Sequence, residues 1–221
     1  MPPLQFFFQL KATSEQIIYA QQLVAYAMEH HTVPNIWDTT EQINRTQELR
    51  FTGTLGEIVF ADTYGLHRPK RSFGATDGQD YGKDFEMAIN GQVKSFDIKT
   101  MRRKNNNFYS NYVLNIPAAQ LNRADSLTDC YFHLSIHEPK PDIFICSFVG
   151  FVNKEDIRNG RVGTFYKKNS ARTRGDKTNF RFNANTYEID FGDFLPAPIS
   201  EYARQQELFT IKPMKSLESY K

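Results

Sequence analysis

Two aspartates, Asp84 and Asp97, lie on either side of a predicted tight β-hairpin. Between them, two alternating apolar and polar runs flank Asn90-Gly91, the strongest short-range signal for a two-residue type I′ turn. That turn pairs Ile89 with Gln92 and, counted outward along the strands, places Asp84 opposite Asp97. Directly opposed strand residues have Cβ atoms about 4.5–5.5 Å apart. Because two carboxylates this close repel unless a proton or a cation lies between them, the spacing predicts a metal site.

The same alternation predicts that Lys99 lies beside the acid pair. Side chains alternate between the two faces of a strand, so Asp84, Asp97 and Lys99 share a polar face, backed by an apolar face with Phe85 and Phe96. Two carboxylates suit Mg²⁺, which keeps several waters and often also binds a phosphate. Lys99 would then stabilise developing negative charge or help to deprotonate a water. The alternative is a surface hairpin with scattered charges, which the apolar face disfavours.

This arrangement resembles the motif of the PD-(D/E)XK nuclease superfamily, which includes many restriction endonucleases and DNA repair nucleases. Asp84 matches the first acid of the motif, and Asp97-Ile98-Lys99 matches its second part, with Asp97 in the variable Asp/Glu place. Lys83 stands where the name of the motif has proline. Glu57, on a predicted helix, falls where the superfamily often places an acidic residue on its first core helix.

The resemblance covers residues 53–152 and implies a restriction-endonuclease-like core, in which a central mixed β-sheet is flanked by helices. The ligands that it implies for Mg²⁺, or for Mn²⁺ as a substitute, are three carboxylates and one backbone carbonyl: Asp84, Asp97, Glu57 and Ile98. The catalytic residues that it implies are the same three acids together with Lys99. Glu48 is another acid upstream and could take the place of Glu57.

The resemblance implies a Mg²⁺-dependent endonuclease that hydrolyses phosphodiester bonds of double-stranded DNA, of the type II restriction kind. An enzyme that cuts a palindromic duplex would be a two-fold homodimer by symmetry. Three alternatives stay open: a DNA repair or processing nuclease, a non-cleaving module that binds nucleic acid on a nuclease fold, and a metal-dependent hydrolase of another phosphoester.

Basic residues cluster in two segments that could contact the DNA backbone. The segment from Arg158 to Arg181 carries eight Lys or Arg residues and one acid, and a shorter basic run follows Lys99 closely. Lys and Arg contacts to phosphates position a protein on DNA and make its affinity depend on salt. The predicted DNA-contacting residues are Arg102, Arg103, Lys104, Lys167, Lys168, Arg172, Arg174 and Lys177. A solvated loop is the alternative interpretation of the longer segment.

The composition is that of a single globular domain. The 221 residues are 40% hydrophobic and 14% aromatic, and the net charge of +2 does not by itself indicate a partner. The two cysteines make no disulfide framework. Without a signal peptide or a long apolar stretch, the chain is expected to be cytoplasmic, with no membrane partner. We expect one nuclease domain with an N-terminal helical part (1–50), a catalytic core (53–152) and a C-terminal part with strands, the basic loop and a helix (153–221).

Periodicity and capping signals predict the order of the elements. Thr13 and Gln16 form a capping box for a first helix, and Gly53 and Gly56 lie in a later helix, where glycine indicates that another element packs close. Besides the first, helices are predicted at 38–49, 53–64, 117–123, from 153, and at 200–208, before a polar tail. Besides the hairpin, strands are predicted at 109–116, 131–136, 143–152, 162–166 and 187–191. This order predicts an α/β fold with N-terminal helices.

Overall fold

The computed structural model describes residues 6–30, 43–72, 83–104, 108–124, 126–173 and 179–215. The helices in these ranges are α1 (Ser14–His30), α2 (Ile43–Tyr64), α3 (Ala118–Leu121), α4 (Lys154–Arg158) and α5 (Glu201–Gln205). The strands are β1 (Phe6–Lys11), β2 (Phe85–Ile89), β3 (Gln92–Arg103), β4 (Val113–Pro117), β5 (Cys130–Lys140), β6 (Ile143–Asn153), β7 (Thr164–Tyr166), β8 (Ala171–Thr173), β9 (Asn179–Arg181), β10 (Thr186–Asp190), β11 (Leu195–Pro196) and β12 (Thr210–Pro213).

A mixed sheet forms the centre of the protein, with its strands in the order β12-β1-β6-β5-β3-β2. β3 and β5 run parallel, with Asp97 beside Tyr131 and Lys99 beside His133. The other neighbours are antiparallel, and β11 adds a short pairing to β6. The prediction of an α/β protein whose central mixed sheet is flanked by helices is confirmed.

The two faces of this sheet are covered differently. Helices α1, α2 and α5 lie on the first face, where Ile17, Ile58 and Ala203 belong to the same buried cluster as Phe96 and Phe132. The second face carries α3, α4 and a small sheet in the order β4-β10-β7. Because strand side chains alternate, the side chains that neighbour Phe96 along β3 point to the second face.

Gly56 lies where α2 approaches β3 most closely. A Cβ atom at this position would lie 2.0 Å from Oγ1 of Thr100, so glycine lets the helix backbone reach the strand. The prediction that a helical glycine indicates close packing is thus confirmed for Gly56. The predicted break between two helices at 49–53 is wrong, because α2 is continuous over this stretch. Packing on the sheet outweighs the low helix propensity of glycine, about 1 kcal/mol per residue relative to Ala.

The described chain begins and ends in neighbouring strands, which local patterns did not predict. β1 lies between β6 and β12, so that Phe8 pairs with Phe148 on one side and Ile211 on the other. The predicted N-terminal helical part therefore needs correction, because β1 precedes α1. The predicted polar tail likewise contains β12. Both strands are held by partners far away in sequence, and no local alternation indicates such partners.

Most remaining elements lie near their predicted positions with shifted ends. The capping box is confirmed, since the N–H of Thr13 donates to Oε1 of Gln16 at 2.8 Å and the N–H of Gln16 to Oγ1 of Thr13 at 3.2 Å. α5 ends at Gln205, before its predicted end, and the basic segment contains the β8–β9 hairpin where a loop was predicted. In the described ranges, no helix combines the length and apolar character that crossing a membrane requires.

Candidate active site

The hairpin of β2 and β3 has the predicted register. Phe85 pairs with Phe96 and Ile89 with Gln92. The turn residues have positive φ angles, 50° at Asn90 and 78° at Gly91, as a type I′ turn requires. The local sequence alone therefore determines which residues of the two strands meet.

Asp84 lies just outside this ladder and binds the backbone of β3 through its side chain. Its N–H donates to the carbonyl of Phe96 at 2.8 Å, and its Oδ2 accepts the N–H of Ile98 at 2.6 Å. The ladder ends at Phe85, so the predicted strand pairing of Asp84 with Asp97 is wrong. Asp84 still lies close to Asp97 in the chain's fold, because its carboxylate binds the backbone N–H of Ile98, the residue that follows Asp97.

Asp97 points to the second face of the sheet and is only 5% exposed. Its Oδ1 lies 2.6 Å from Nζ of Lys99, and its Oδ2 accepts a hydrogen bond from Nε2 of Gln120 at 2.8 Å. Gln120 belongs to α3, which begins at Ala118, one residue after its predicted start at Pro117. The acid and the lysine therefore share one face, as the alternation predicts, and a helix beyond β4 supplies a third polar group.

A buried histidine fixes the backbone of Lys99. Nδ1 of His133 lies 2.8 Å from the carbonyl oxygen of Lys99, which can only accept, so Nδ1 carries the proton. Nε2 of His133 then accepts a hydrogen bond from the hydroxyl of Ser135 at 2.9 Å. Burial lowers the pKa of His133 to about 3, with a further lowering by the charge of Arg103 and an opposing effect of the Lys99 carbonyl. His133 is thus a neutral support of the strand, with both nitrogens engaged.

Neither upstream acid joins Asp84 and Asp97 in a metal-binding cluster. Glu57 is 9% exposed and follows Gly56 on α2, the helix that covers the first face of the sheet. Glu48 is exposed and pairs with Arg102 at 2.6 Å. Within the described ranges there is no group of three or more His, Cys, Asp or Glu that could hold a metal ion. The implied three-carboxylate set is therefore not assembled in this structure.

Two carboxylates and one carbonyl still suit a magnesium ion. Asp84 and Asp97 flank the Ile98 peptide, whose N–H already binds Asp84. Mg²⁺ keeps several waters and is usually bound by only one or two carboxylates in addition to phosphate oxygens. The donor set of Asp84, Asp97 and the Ile98 carbonyl therefore fits the hard-oxygen chemistry of the implied ion without Glu57.

The basic run after Lys99 divides between internal contacts and solvent. Arg102 bridges Glu48 and Glu138. The guanidinium of Arg103 lies 4.8 Å from the ring centre of Tyr112, and burial lowers its pKa. Lys104 is exposed. Of these three predicted DNA contacts, Lys104 is the most available to a phosphate.

The longer basic segment divides in the same way. Arg172 on β8 pairs with Glu188 of β10, which is 6% exposed. Lys167 and Lys168 are exposed in the turn before β8. Arg174 and Lys177 lie outside the described residues. The predicted DNA-binding role of this segment stays a prediction, and the structure distinguishes an internal arginine from two solvent-facing lysines.

Sequence reasoning missed three side chains around the acid and the lysine: Gln120, Tyr131 and His133. Gln120 approaches Asp97 from a helix 23 residues further along the chain, and Tyr131 and His133 lie beside β3 through parallel pairing with β5. Parallel pairing requires a crossover, and no local spacing in the sequence indicates its register. The apolar run at 131–136 predicted the strand but not the polar side chains that it places beside the acid.

Comparison with known proteins adds no assignment to this geometry. No family model matches the chain, no curated protein shows significant similarity to it, and no solved structure matches its fold significantly.

Proposed function

We propose that this protein is a Mg²⁺-dependent DNA endonuclease with a restriction-endonuclease-like fold, acting in the cytoplasm as a homodimer on double-stranded DNA. The observation that supports the proposal most strongly is the 2.6 Å contact between Oδ1 of Asp97 and Nζ of Lys99. Between these two residues lies Ile98, whose backbone N–H binds the carboxylate of Asp84. An acid, a lysine and a second acid around one peptide provide metal ligands and a cation for the negative charge that develops in phosphodiester hydrolysis.

In this proposal Asp84 and Asp97 hold the ion together with the backbone carbonyl of Ile98. When bound, Mg²⁺ or Mn²⁺ would supply Lewis-acid chemistry and lower the pKa of a water molecule. The hydrogen bond from Ile98 N–H orients one oxygen of Asp84, and Gln120 orients Oδ2 of Asp97. The protein thereby fixes both carboxylates before substrate arrives.

Lys99 would act on the phosphate. Its ammonium is held by Asp97, and its side chain is 22% exposed, so it can donate hydrogen bonds to a phosphate oxygen at the surface. A fixed cation at the place where negative charge develops lowers the barrier without reorganisation. The neutral ring of His133 holds the backbone carbonyl of Lys99 and so limits movement of the strand that carries the ammonium.

A non-cleaving nucleic-acid-binding module is the second candidate, and one observation favours it. Both oxygens of Asp97 and one oxygen of Asp84 have protein partners, so the carboxylates could serve the fold without an ion. The exposed residues Lys104, Lys167 and Lys168 would contact phosphates in either case. Only a test of cleavage separates the two functions.

That test compares wild-type protein and Asp97→Asn on supercoiled plasmid and on linear DNA, with Mg²⁺, with Mn²⁺ or with EDTA. We expect cleavage only by the wild type and only with a divalent ion. Glu86→Gln is the matched control, because Glu86 is exposed on the same hairpin and pairs with Lys83; it should cut like the wild type. Discrete bands would support a restriction-type enzyme and a smear a processing nuclease. DNA binding without cleavage under every condition would support the non-cleaving module.

A further inference from the structure

Tyr131 lies on the second face of the sheet, directly beside the Asp97–Lys99 pair. Parallel pairing places it next to Asp97 in the adjoining strand, and its side chain is 0% exposed. Nζ of Lys99 lies 5.9 Å from the centre of its ring. The ring of Tyr131 therefore packs beside the ammonium of the proposed catalytic lysine.

The hydroxyl of Tyr131 is buried, and no described protein group accepts or donates a hydrogen bond to it. Most buried polar groups in proteins have a partner, and a hydroxyl without one costs free energy. The adjacent residue on β5 is Phe132, and the sequence contains nineteen phenylalanines. A phenylalanine at 131 would fill the same space without a buried hydroxyl, so the tyrosine carries a cost that packing does not explain.

The electrostatic surroundings keep this hydroxyl in its donor form. Burial raises the pKa of Tyr131 well above its ordinary value, the charge of Asp97 raises it further, and Arg158 lowers it. Arg158 reaches the same region, since its guanidinium donates to the carbonyl of Leu121 at 2.9 Å. A protonated phenol beside a carboxylate and two cations can donate to an oxygen atom that enters the site.

We propose that Tyr131 is a positioning residue of the candidate active site, whose hydroxyl donates a hydrogen bond to an oxygen from outside the protein and thereby sets the position of the Asp97–Lys99 pair. The oxygen belongs either to a resident water or to a phosphate of bound DNA, and because the hydroxyl is closed to solvent in the free protein, a phosphate would reach it only if the site opens when DNA binds. Both are hydrogen-bond acceptors, and thermal unfolding distinguishes them. The inference rests on the proposed endonuclease function.

The test compares wild type, Tyr131→Phe and Thr100→Val. Thr100 is the matched control, because its hydroxyl is also buried without a described partner but lies against α2 on the first face. We expect Tyr131→Phe to lower kcat for DNA cleavage at least tenfold, with KM and DNA affinity in Ca²⁺ changed less than threefold. Thr100→Val should leave kcat within twofold of the wild type. A purely structural role would not move kcat alone.

Thermal unfolding without DNA identifies the source of the oxygen. If DNA supplies it, the hydroxyl is unsatisfied in the free protein, and Tyr131→Phe should raise the melting temperature as Thr100→Val does. If a resident water supplies it, Tyr131→Phe should leave the melting temperature unchanged or lower it. A wild-type protein that cuts, together with a Tyr131→Phe protein of equal kcat, would overturn this inference alone. A wild type that never cuts would overturn the proposed function and this inference with it.

Discussion

Lys99 and Asp97 form a short ion pair, 2.6 Å from Nζ to Oδ1, on the second face of β3. The acid is almost entirely buried, whereas the lysine side chain is 22% exposed. Residues that are two positions apart in a strand share a face. Here the ammonium of Lys99 contacts Asp97 on one side and solvent on the other. The pair can therefore hold an ammonium in place at the surface, which is the property that the proposed reaction requires.

Binding of Mg²⁺ should stabilise the protein through Asp97. A ligand at about 100 times its Kd stabilises the folded state by about 2.7 kcal/mol, so Mg²⁺ should raise the melting temperature of the wild type. Asp97→Asn keeps the shape but loses a charged ligand, and its one oxygen can accept from only one of the donors Lys99 and Gln120, so its shift should be much smaller. Differential scanning calorimetry over a Mg²⁺ titration measures both, with Glu86→Gln as the control. Equal shifts in Asp97→Asn and wild type would show that the ion does not bind this carboxylate.

Gly56→Ala should destabilise the protein although alanine is the better helix former. In an open helix this change gains up to about 1 kcal/mol, but here the new Cβ would lie 2.0 Å from Oγ1 of Thr100. Overpacking of this kind typically costs about 1–3 kcal/mol. Urea unfolding measures the loss, and Thr100→Ala in the same chain should recover part of it. A stabilised Gly56→Ala protein would mean that α2 and β3 are not in this close contact.

The hairpin and the proposed catalytic pair could be predicted from the sequence, because both depend only on residues close together in the chain. Asn90-Gly91 determines the register, and the spacing from Asp97 to Lys99 determines the shared face. Gln120 and Tyr131 could not be predicted, because they approach from α3 and from a parallel strand whose pairing depends on the whole sheet. β1 and β12 were not predicted for the same reason, since their pairing partners are distant in sequence.

The expected role of Glu57 shows what a sequence motif leaves undetermined. A helical acid was expected to complete the metal site, but the described ranges contain no group of three or more His, Cys, Asp or Glu that could hold a metal ion. Which way a helix residue points depends on how the helix lies on the sheet, and spacing along the chain does not encode that.

Neutral His133 should make the protein less stable as the pH falls. Its folded pKa of about 3 lies below the ordinary value of 6.5, so the unfolded chain takes up a proton first. The stabilisation is complete above about pH 6.5 and is lost progressively as the pH falls towards 3. One such group contributes a slope approaching about 1.4 kcal/mol per pH unit.

The measurement is urea unfolding between pH 6.5 and 5, where most carboxylates remain ionised. His133→Gln does not titrate, so its free energy of unfolding should depend less on pH than that of the wild type, although it is lower overall. Parallel slopes for the two proteins would contradict a buried neutral His133.

The basic segment should contain two kinds of cation with different effects. Lys167→Ala with Lys168→Ala should weaken binding to every DNA sequence alike and make the salt dependence shallower by about 0.9 for each phosphate that the protein no longer binds. Arg172→Ala should instead destabilise the fold, by about 1–3 kcal/mol, because it removes a cation that pairs with the buried Glu188.

Fluorescence anisotropy over a salt series and urea unfolding separate these effects. Adding Glu188→Gln to Arg172→Ala should restore part of the stability, since a neutral amide tolerates burial better than a carboxylate that has lost one cationic partner. An unchanged salt slope in the double lysine variant would assign Lys167 and Lys168 to a solvated surface that does not bind DNA.

Lys99→Ala tests the central claim most directly, in a paired measurement of DNA cleavage in Mg²⁺ and DNA binding in Ca²⁺. Loss of one preorganised charge at the reacting phosphate typically costs about 10²–10³ in rate, whereas one ammonium among many basic groups adds little to ground-state affinity. We therefore predict cleavage lowered by at least about 10²-fold with binding within a few fold of the wild type. Lys83→Ala, which removes a lysine of the same hairpin paired with the exposed Glu86, should cut normally. A Lys99→Ala protein that cuts DNA at nearly the wild-type rate would contradict the assignment of this hairpin as the active site.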